Sequence, residues 1–299
     1  MSDLLRGCTP ILCTPFNADG SVDFESLERE IDWVIAEGAV GVAALALASE
    51  GYKLTEAERT EITRVVVSHT AKRVTVVVSA DGAGAEIAID RATAAERVGA
   101  DVVMVLPPSF VKPNVDGLRD YYTRIGQSLS IPVMIQDAPQ LTGVAMSPAL
   151  WGELSRDVET IRFVKAEGVP QGPTLTAAIA AGEGRLQVLC GWGGLSMMDA
   201  LERGAIGSMP APAFTRLFAD IQRQWESGDR SGAIATFRAE LEFVLWAMQT
   251  IDVSVRSAKT ELHRRGVFAS SAMRQPWVAL DAIAEDQLTR FVDQRLRNT

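Results

Sequence analysis

A lysine, three carboxylates, an amide and a serine stand where apolar runs of this chain give way to glycine and proline. Lys165 closes the run Ile161-Arg162-Phe163-Val164-Lys165, which ends at Glu167, Gly168 and Pro170. A β-branched and aromatic run of that length, bounded by Gly and Pro, predicts a buried strand. Its amine then emerges at the strand's carboxyl end, half inside an apolar environment. Desolvation disfavours an ammonium, and a neutral amine can attack a ketone to form a Schiff base. The competing reading is a strand-end lysine that snorkels to solvent.

The neighbours carry paired readings too. Glu167 lies two residues beyond Lys165 and shares its face if the strand persists; otherwise it is a solvated loop residue. Glu50 either transfers protons or holds its own loop and the helix that begins near Thr55. Asp137 either bonds a substrate hydroxyl or closes an Asx turn on neighbouring amides. Gln136 can orient a water or bond a substrate hydroxyl but does not titrate near neutrality. Trp192, between Gly191 and Gly193, is a pocket wall or a lid.

These residues need elements to bring them together. Strand-like runs alternate with amphipathic stretches from the first residues to about Pro210, the pattern of βα units on a parallel sheet. The predicted strands are Cys8 to Thr14, Gly41 to Ala46, Val74 to Ser79, Val102 to Leu106, Val133 to Gln136, Ile161 to Lys165, Leu186 to Gly191 and Ala205 to Met209. Predicted helices include Asp23 to Ala36, Thr55 to His69, Ala85 to Val98, Val115 to Ser128, Pro148 to Leu154 and Ser196 to Arg203. Thr55-Glu-Ala-Glu58 is a capping box, and Gly38, Gly99 and Gly204 mark helix ends. Eight units with recurrent Gly-Ala pairs before strands favour an α/β fold, a closed (β/α)8 TIM barrel, over an open sheet.

Past Pro212 the pattern is helical: Pro212 to Ser227, Arg230 to Ile251, Val253 to Arg265 and Glu285 to Leu296. Residues 1–227 are therefore assigned to the barrel and 228–299 to a C-terminal helical extension packed on it as one structural unit. Trp225, Phe243, Trp246 and Trp277 are its apolar anchors, read as core. In such barrels the active site lies at the carboxyl ends of the strands. Those ends carry Ala48, Ser49 and Glu50, then Gln136 and Asp137, then Lys165 and Glu167, then Gly191 and Trp192, and lastly Pro210.

Composition narrows the function. A net charge of -9, with no Lys/Arg block, argues against a nucleic-acid surface. No segment reaches the roughly 18 apolar residues of a membrane span, and no signal peptide is read at the amino terminus. Cys8, Cys13 and Cys190 are odd in number and lack metal spacing, which suits reduced thiols of a cytoplasmic protein. With only His69 and His263 and no Cys/His cluster, no metal site is expected, and imine chemistry on Lys165 calls for no cofactor.

Over nearly its whole length the chain resembles the dihydrodipicolinate synthase and N-acetylneuraminate lyase family. The likeness rests on Thr14-Pro15-Phe16 with Asp19-Gly20-Ser21-Val22-Asp23, on Ser49-Glu50 before Leu54-Thr55 and Glu58-Arg59, and on Gly99-Ala100-Asp101 leading to Pro107-Pro108. It extends to Pro139 with Thr142-Gly143, to Lys165, and to Gly204-Ala205-Ile206-Gly207. The resemblance implies a barrel with added C-terminal helices, an imine between Lys165 and a 2-oxo acid, and loop amides near Ala48 and Ser49 that bind its carboxylate. It also implies a homotetramer or dimer.

Departures from the family pattern are informative. The usual threonines after strand two are replaced by Ala46-Leu47-Ala48-Ser49-Glu50. Gln136 stands where a relay tyrosine is usual, and Leu141 where an arginine grips a second substrate's carboxylate. Gln136-Asp137-Ala138-Pro139, Lys165-Ala166-Glu167 and Ser257-Ala258-Lys259 with Arg265-Gly266-Val267 are instead similar to the branch containing L-2-keto-3-deoxyarabonate dehydratase. The expected function is a Schiff-base lyase acting on a 2-oxo deoxy sugar acid, by dehydration. Glu167 or Glu50 would move protons, and Gln136 or Asp137 would hold a substrate hydroxyl. The alternatives are a pyruvate-dependent aldolase or a dihydrodipicolinate synthase-type condensation, and a catalytically idle binding barrel.

Overall fold

The computed structural model describes residues 4–297; the first and last residues of the two assigned regions lie outside the described residues. Eight parallel strands pair in the order β1-β8-β7-β6-β5-β4-β3-β2. They are β1 (Gly7–Cys8), β2 (Gly41–Ala44), β3 (Thr75–Ser79), β4 (Val102–Val105), β5 (Val133–Asp137), β6 (Ile161–Ala166), β7 (Gln187–Cys190) and β8 (Gly207–Ser208). The remaining seam, between the first and second strands, is bridged at Ile11 and Ala43. There the Ala43 N–H donates to the Pro10 carbonyl at 2.9 Å and the Leu12 N–H to the Ala43 carbonyl at 2.8 Å. The strands thus form a nearly closed barrel.

Strand one is shorter than the expected Cys8 to Thr14. Pro10 has no N–H to give the ladder, so regular pairing stops before it and only the bridge continues. At the crossing with β8 the two backbones nearly touch. A Cβ on Gly207 would lie 2.0 Å from the Gly7 carbonyl oxygen, so this position needs glycine.

The helices are α1 (Phe24–Ala36), α2 (Glu56–Thr70), α3 (Ala85–Val98), α4 (Val115–Gln127), α5 (Pro139–Thr142), α6 (Pro148–Asp157), α7 (Gln171–Gly182), α8 (Met197–Glu202), α9 (Thr215–Glu226), α10 (Arg230–Ala247), α11 (Ile251–Arg264) and α12 (Ala282–Arg297). The capping box forms as its spacing requires. The Thr55 hydroxyl accepts from the Glu58 N–H, and the Glu58 carboxylate accepts from the Thr55 N–H at 2.9 Å. Gly99 ends α3 at φ 108°, a left-handed conformation that a side chain would oppose.

Sequence reading named no helix at α7, whose Gly172-Pro173 resembles a turn and whose Ala-rich body has weak periodicity. Pro173 lies in the first helical turn, where its missing N–H is an orphan in any case. The long helix expected from Arg230 to Ile251 breaks at Thr250, whose hydroxyl caps α11 by accepting from the Val253 N–H at 3.2 Å.

Strand alternation sorts the apolar residues into two layers. Met104, Met134, Phe163, Leu189 and Met209 fill the barrel. Val103, Val105, Ile135, Val164 and Ala166 face the helices. Each fully buried aliphatic or aromatic side chain contributes about 1.5–3 kcal/mol over exposure. A bulge in β6 decides which layer receives Lys165. Ile161 pairs with Val133, but Phe163 pairs with the next residue, Met134, so Arg162 is the extra residue. After it, Phe163 and Lys165 point inward.

In the appended helices, Phe243 stacks on Phe291 with ring centres 4.9 Å apart and lies 5.2 Å from Phe214. Arg295 of α12 pairs with Glu240 and Glu261 and donates to the Ala213 carbonyl at 2.7 Å. Phe243 is core, whereas Trp225, Trp246 and Trp277 are half-buried. The core reading therefore holds for the phenylalanine and only partly for the tryptophans. No helix among the described residues is long and apolar enough to cross a membrane.

Candidate active site

At the carboxyl end of the barrel, the bulged β6 delivers Lys165 into a narrow cleft. Its amine lies 3.0 Å from Glu167 Oε1, with both side chains at least nine-tenths buried. The β5–β6 ladder runs one residue past the strand through the Glu167 N–H, which donates to the Asp137 carbonyl at 3.0 Å. That extension keeps Glu167 on the face of Lys165. The Gln136 amide donates to the same Oε1 at 2.8 Å, and Gln136 is paired directly with Lys165 in the ladder. Gln140 donates to the Glu167 carbonyl at 2.8 Å. Lysine, carboxylate and amide are thus one hydrogen-bonded group.

Ala48, Trp192 and Pro210 also line the cleft, as their places at strand ends predict. Trp192 is a wall residue, half-buried at φ 47°. Gly191 contributes space rather than surface. A Cβ there would fall 2.3 Å from Glu167 Cγ and 2.8 Å from the Ala166 carbonyl oxygen. Gly191→Ala must displace Glu167 from Lys165 and Gln136, and if Glu167 moves protons for Lys165 a small displacement lowers turnover steeply. Steady-state assays on the folded variant should show a loss of about tenfold or more.

Three candidates stand elsewhere. Glu50 does not line the cleft: its carboxylate accepts from Lys259, from Lys53 at 2.9 Å and from the Arg274 N–H at 3.1 Å. Three donors already occupy it, the arrangement of a loop anchor rather than a proton carrier. Ser49 is buried with its N–H given to the Ala46 carbonyl at 3.0 Å, so Ala48 alone of that pair faces the cleft. Asp137 belongs to β5 and pairs with the outward-facing Ala166, which turns its side chain away from Lys165.

Asp137 nevertheless senses the site. Burial, together with the neighbouring Glu167 charge, pushes its carboxyl up to about 7, while the N–H groups of Gly168 and Met146 oppose the rise. The native state therefore keeps a proton that the unfolded chain releases from about pH 4 upward. Rising pH through that window favours unfolding. Asp137→Asn removes this contribution, so its urea-unfolding stability should gain on the wild type as pH rises from 4 to 7 and level off above.

Sequence reasoning missed Met248, just past the end of α10, and Ile251 and Ser254 of α11, which line the cleft. It also missed Gln140. Lys165 is the one cation among the lining residues, and most of the rest, including Ile11, Leu47, Leu141 and Met209, are apolar. Such a pocket can desolvate an amine and a ketone, with a carboxylate in reach to move protons.

A buried lysine beside a carboxylate at the carboxyl end of a strand in an α/β barrel holds the groups that imine chemistry needs. Residues 4–295 match the dihydrodipicolinate synthetase family, and the chain belongs to it. It is 29% identical over 278 residues to an L-2-keto-3-deoxyarabonate dehydratase from Azospirillum brasilense, covering 91% of this chain and 88% of that protein. It is 30% identical over 292 residues to a 4-hydroxy-tetrahydrodipicolinate synthase from Chelativorans sp. strain BNC1, covering 95% and 96%. The dihydrodipicolinate synthase structure from Rhodopseudomonas palustris superposes with a TM-score of 0.91 at 26% identity, covering 98% of this chain and 99% of that one. The protein is a Schiff-base lyase of this family.

Proposed function

We propose that the enzyme dehydrates a 2-oxo-3-deoxy sugar acid through an imine on Lys165. The observation that carries this reading is the Lys165–Glu167–Gln136 group, in which one carboxylate oxygen contacts both the amine and the amide. The amine attacks C2 of the substrate and the carbinolamine loses water to give the imine. Glu167 then takes a C3 proton, the enamine expels the C4 hydroxyl, and Glu167 returns the proton so that water leaves. Hydrolysis of the imine frees the product and the lysine. One water is lost overall, and no second substrate enters.

The other polar groups fit that sequence. Gln136 Oε1 is buried without a hydrogen-bond partner in the protein, an acceptor available to a substrate hydroxyl. Ala48 offers its N–H to the carboxylate from the first turn of the Leu47–Ser49 segment. Leu141 lines the cleft where a condensing enzyme would need a cation for a second carboxylate, which favours a single-substrate reaction. The similarity to the Azospirillum dehydratase points the same way. Mass analysis after incubation with 2-oxo-3-deoxy pentonic and hexonic acids should show loss of one water. Release of pyruvate and an aldehyde would establish aldol cleavage instead. A homo-oligomer belongs to the same proposal, and light scattering should report a dimer or tetramer.

A further inference from the structure

Lys259, on α11, is fully buried yet far in sequence from the strand-six lysine. Its ammonium donates to Glu50 Oε1 and to the Ala272 carbonyl at 2.9 Å, and lies 4.4 Å from the centre of the Phe16 ring. Burial pushes its pKa down, and the Glu50 carboxylate opposes that shift. Glu50 itself sits at φ 56° and ψ 27°, a left-handed conformation that non-glycine residues occupy at a cost. Its carboxylate is held by the donors named above, and from Glu50 the constraint passes into the turn before it.

The turn is bonded at nearly every carbonyl. The Glu50 N–H donates to the Leu47 carbonyl at 3.0 Å, and the Ser49 and Gly51 N–H groups to the Ala46 carbonyl at 3.0 and 3.1 Å. The Thr14 hydroxyl donates to the Ser49 carbonyl at 2.6 Å and Arg59 to the Gly51 carbonyl at 3.0 Å. Ala48 is the residue of this turn that faces the cleft together with Leu47, and its N–H precedes the first bond the short helix can make.

We infer that Lys259 is a positioning residue for the substrate carboxylate: by holding Glu50 it fixes the Leu47–Ser49 turn, and with it the Ala48 N–H, relative to Lys165. The inference rests on the Schiff-base reading above. It also gives α11 two tasks, because Ile251 and Ser254 of the same helix close the cleft. A shift of this helix would alter roof and carboxylate site together.

Borohydride trapping with pyruvate tests the idea, because the half-saturating pyruvate concentration and the maximal trapping rate can be read separately. Lys259→Met should raise the half-saturating concentration about tenfold, the loss of one hydrogen bond to a carboxylate, and leave the maximal rate within about threefold. Amide hydrogen exchange across residues 47–51 should accelerate in the same variant. Removing one partner leaves Glu50 buried beside fewer cations, so the single variant is less stable than the wild type. The double variant Glu50→Gln/Lys259→Met leaves the buried Lys53 without its carboxylate, so it should recover neither the stability nor the pyruvate affinity of the wild type. Folded single or double variants with wild-type half-saturation would overturn the inference alone. A fall in maximal rate at unchanged half-saturation would also overturn it, since that places Lys259 in proton transfer. Wild-type enzyme that forms no adduct removes the Schiff-base reading itself.

Discussion

Lys165→Ala loses turnover by roughly 10⁴-fold or more, together with every borohydride-stable adduct, because no other amine can reach the ketone. Lys259 is sealed in its ion pair and Lys53 is committed to Glu50 and the Arg274 carbonyl. Added primary amines restore little activity, since the cleft is narrow and its lining mostly apolar. The substitution also leaves Glu167 buried without its cation, which destabilises the fold. Circular dichroism and urea unfolding separate that cost from the chemical defect: the folded fraction of Lys165→Ala should be inert. Turnover above a few per cent of wild type in the folded variant would remove Lys165 as the nucleophile.

Glu167→Gln gives the second largest effect. The amide keeps the shape and can still accept from Gln136, but it cannot take a proton from C3 or return one to the departing hydroxyl. Turnover should fall roughly 100-fold or more. Trapping at Lys165 should persist, so the variant accumulates imine without product. Rapid-quench mass spectrometry would detect that accumulation. Near-full activity would exclude Glu167 from proton transfer, and Glu50 could not replace it while its carboxylate remains bound to two lysines and a backbone N–H.

The barrel was legible because its strands are short apolar runs closed by Gly and Pro, and because capping residues mark the helices. Lys165 and Glu167 were legible for the same reason: both sit at the end of one such run. Asp137 departs from its expected place at the cleft because its strand ends one residue later than the pattern suggests. One residue of strand reverses the face, and so Gln136 points to Lys165 while Asp137 points to the helices. The bulge at Arg162 leaves no mark in the sequence that distinguishes it from regular alternation.

Glu50 posed a different problem. Its residue type suits a base as well as an anchor, and the partner that decides between them, Lys259, is 209 positions away. Met248, Ile251 and Ser254 were hidden similarly, because a helix that lines a site has the same periodicity as one that packs on a core. Contacts between distant segments are set by tertiary packing, which local patterns do not encode.

The central claim is that Lys165 forms an imine with a 2-oxo acid. Borohydride trapping across a panel of 2-oxo acids, followed by peptide mass mapping, tests it most directly. The account predicts one reduced adduct per chain, carried by the peptide containing Lys165, with 2-oxo-3-deoxy sugar acids competing against pyruvate for the same site. No adduct with any member of the panel, or an adduct mapped to another lysine, would contradict it.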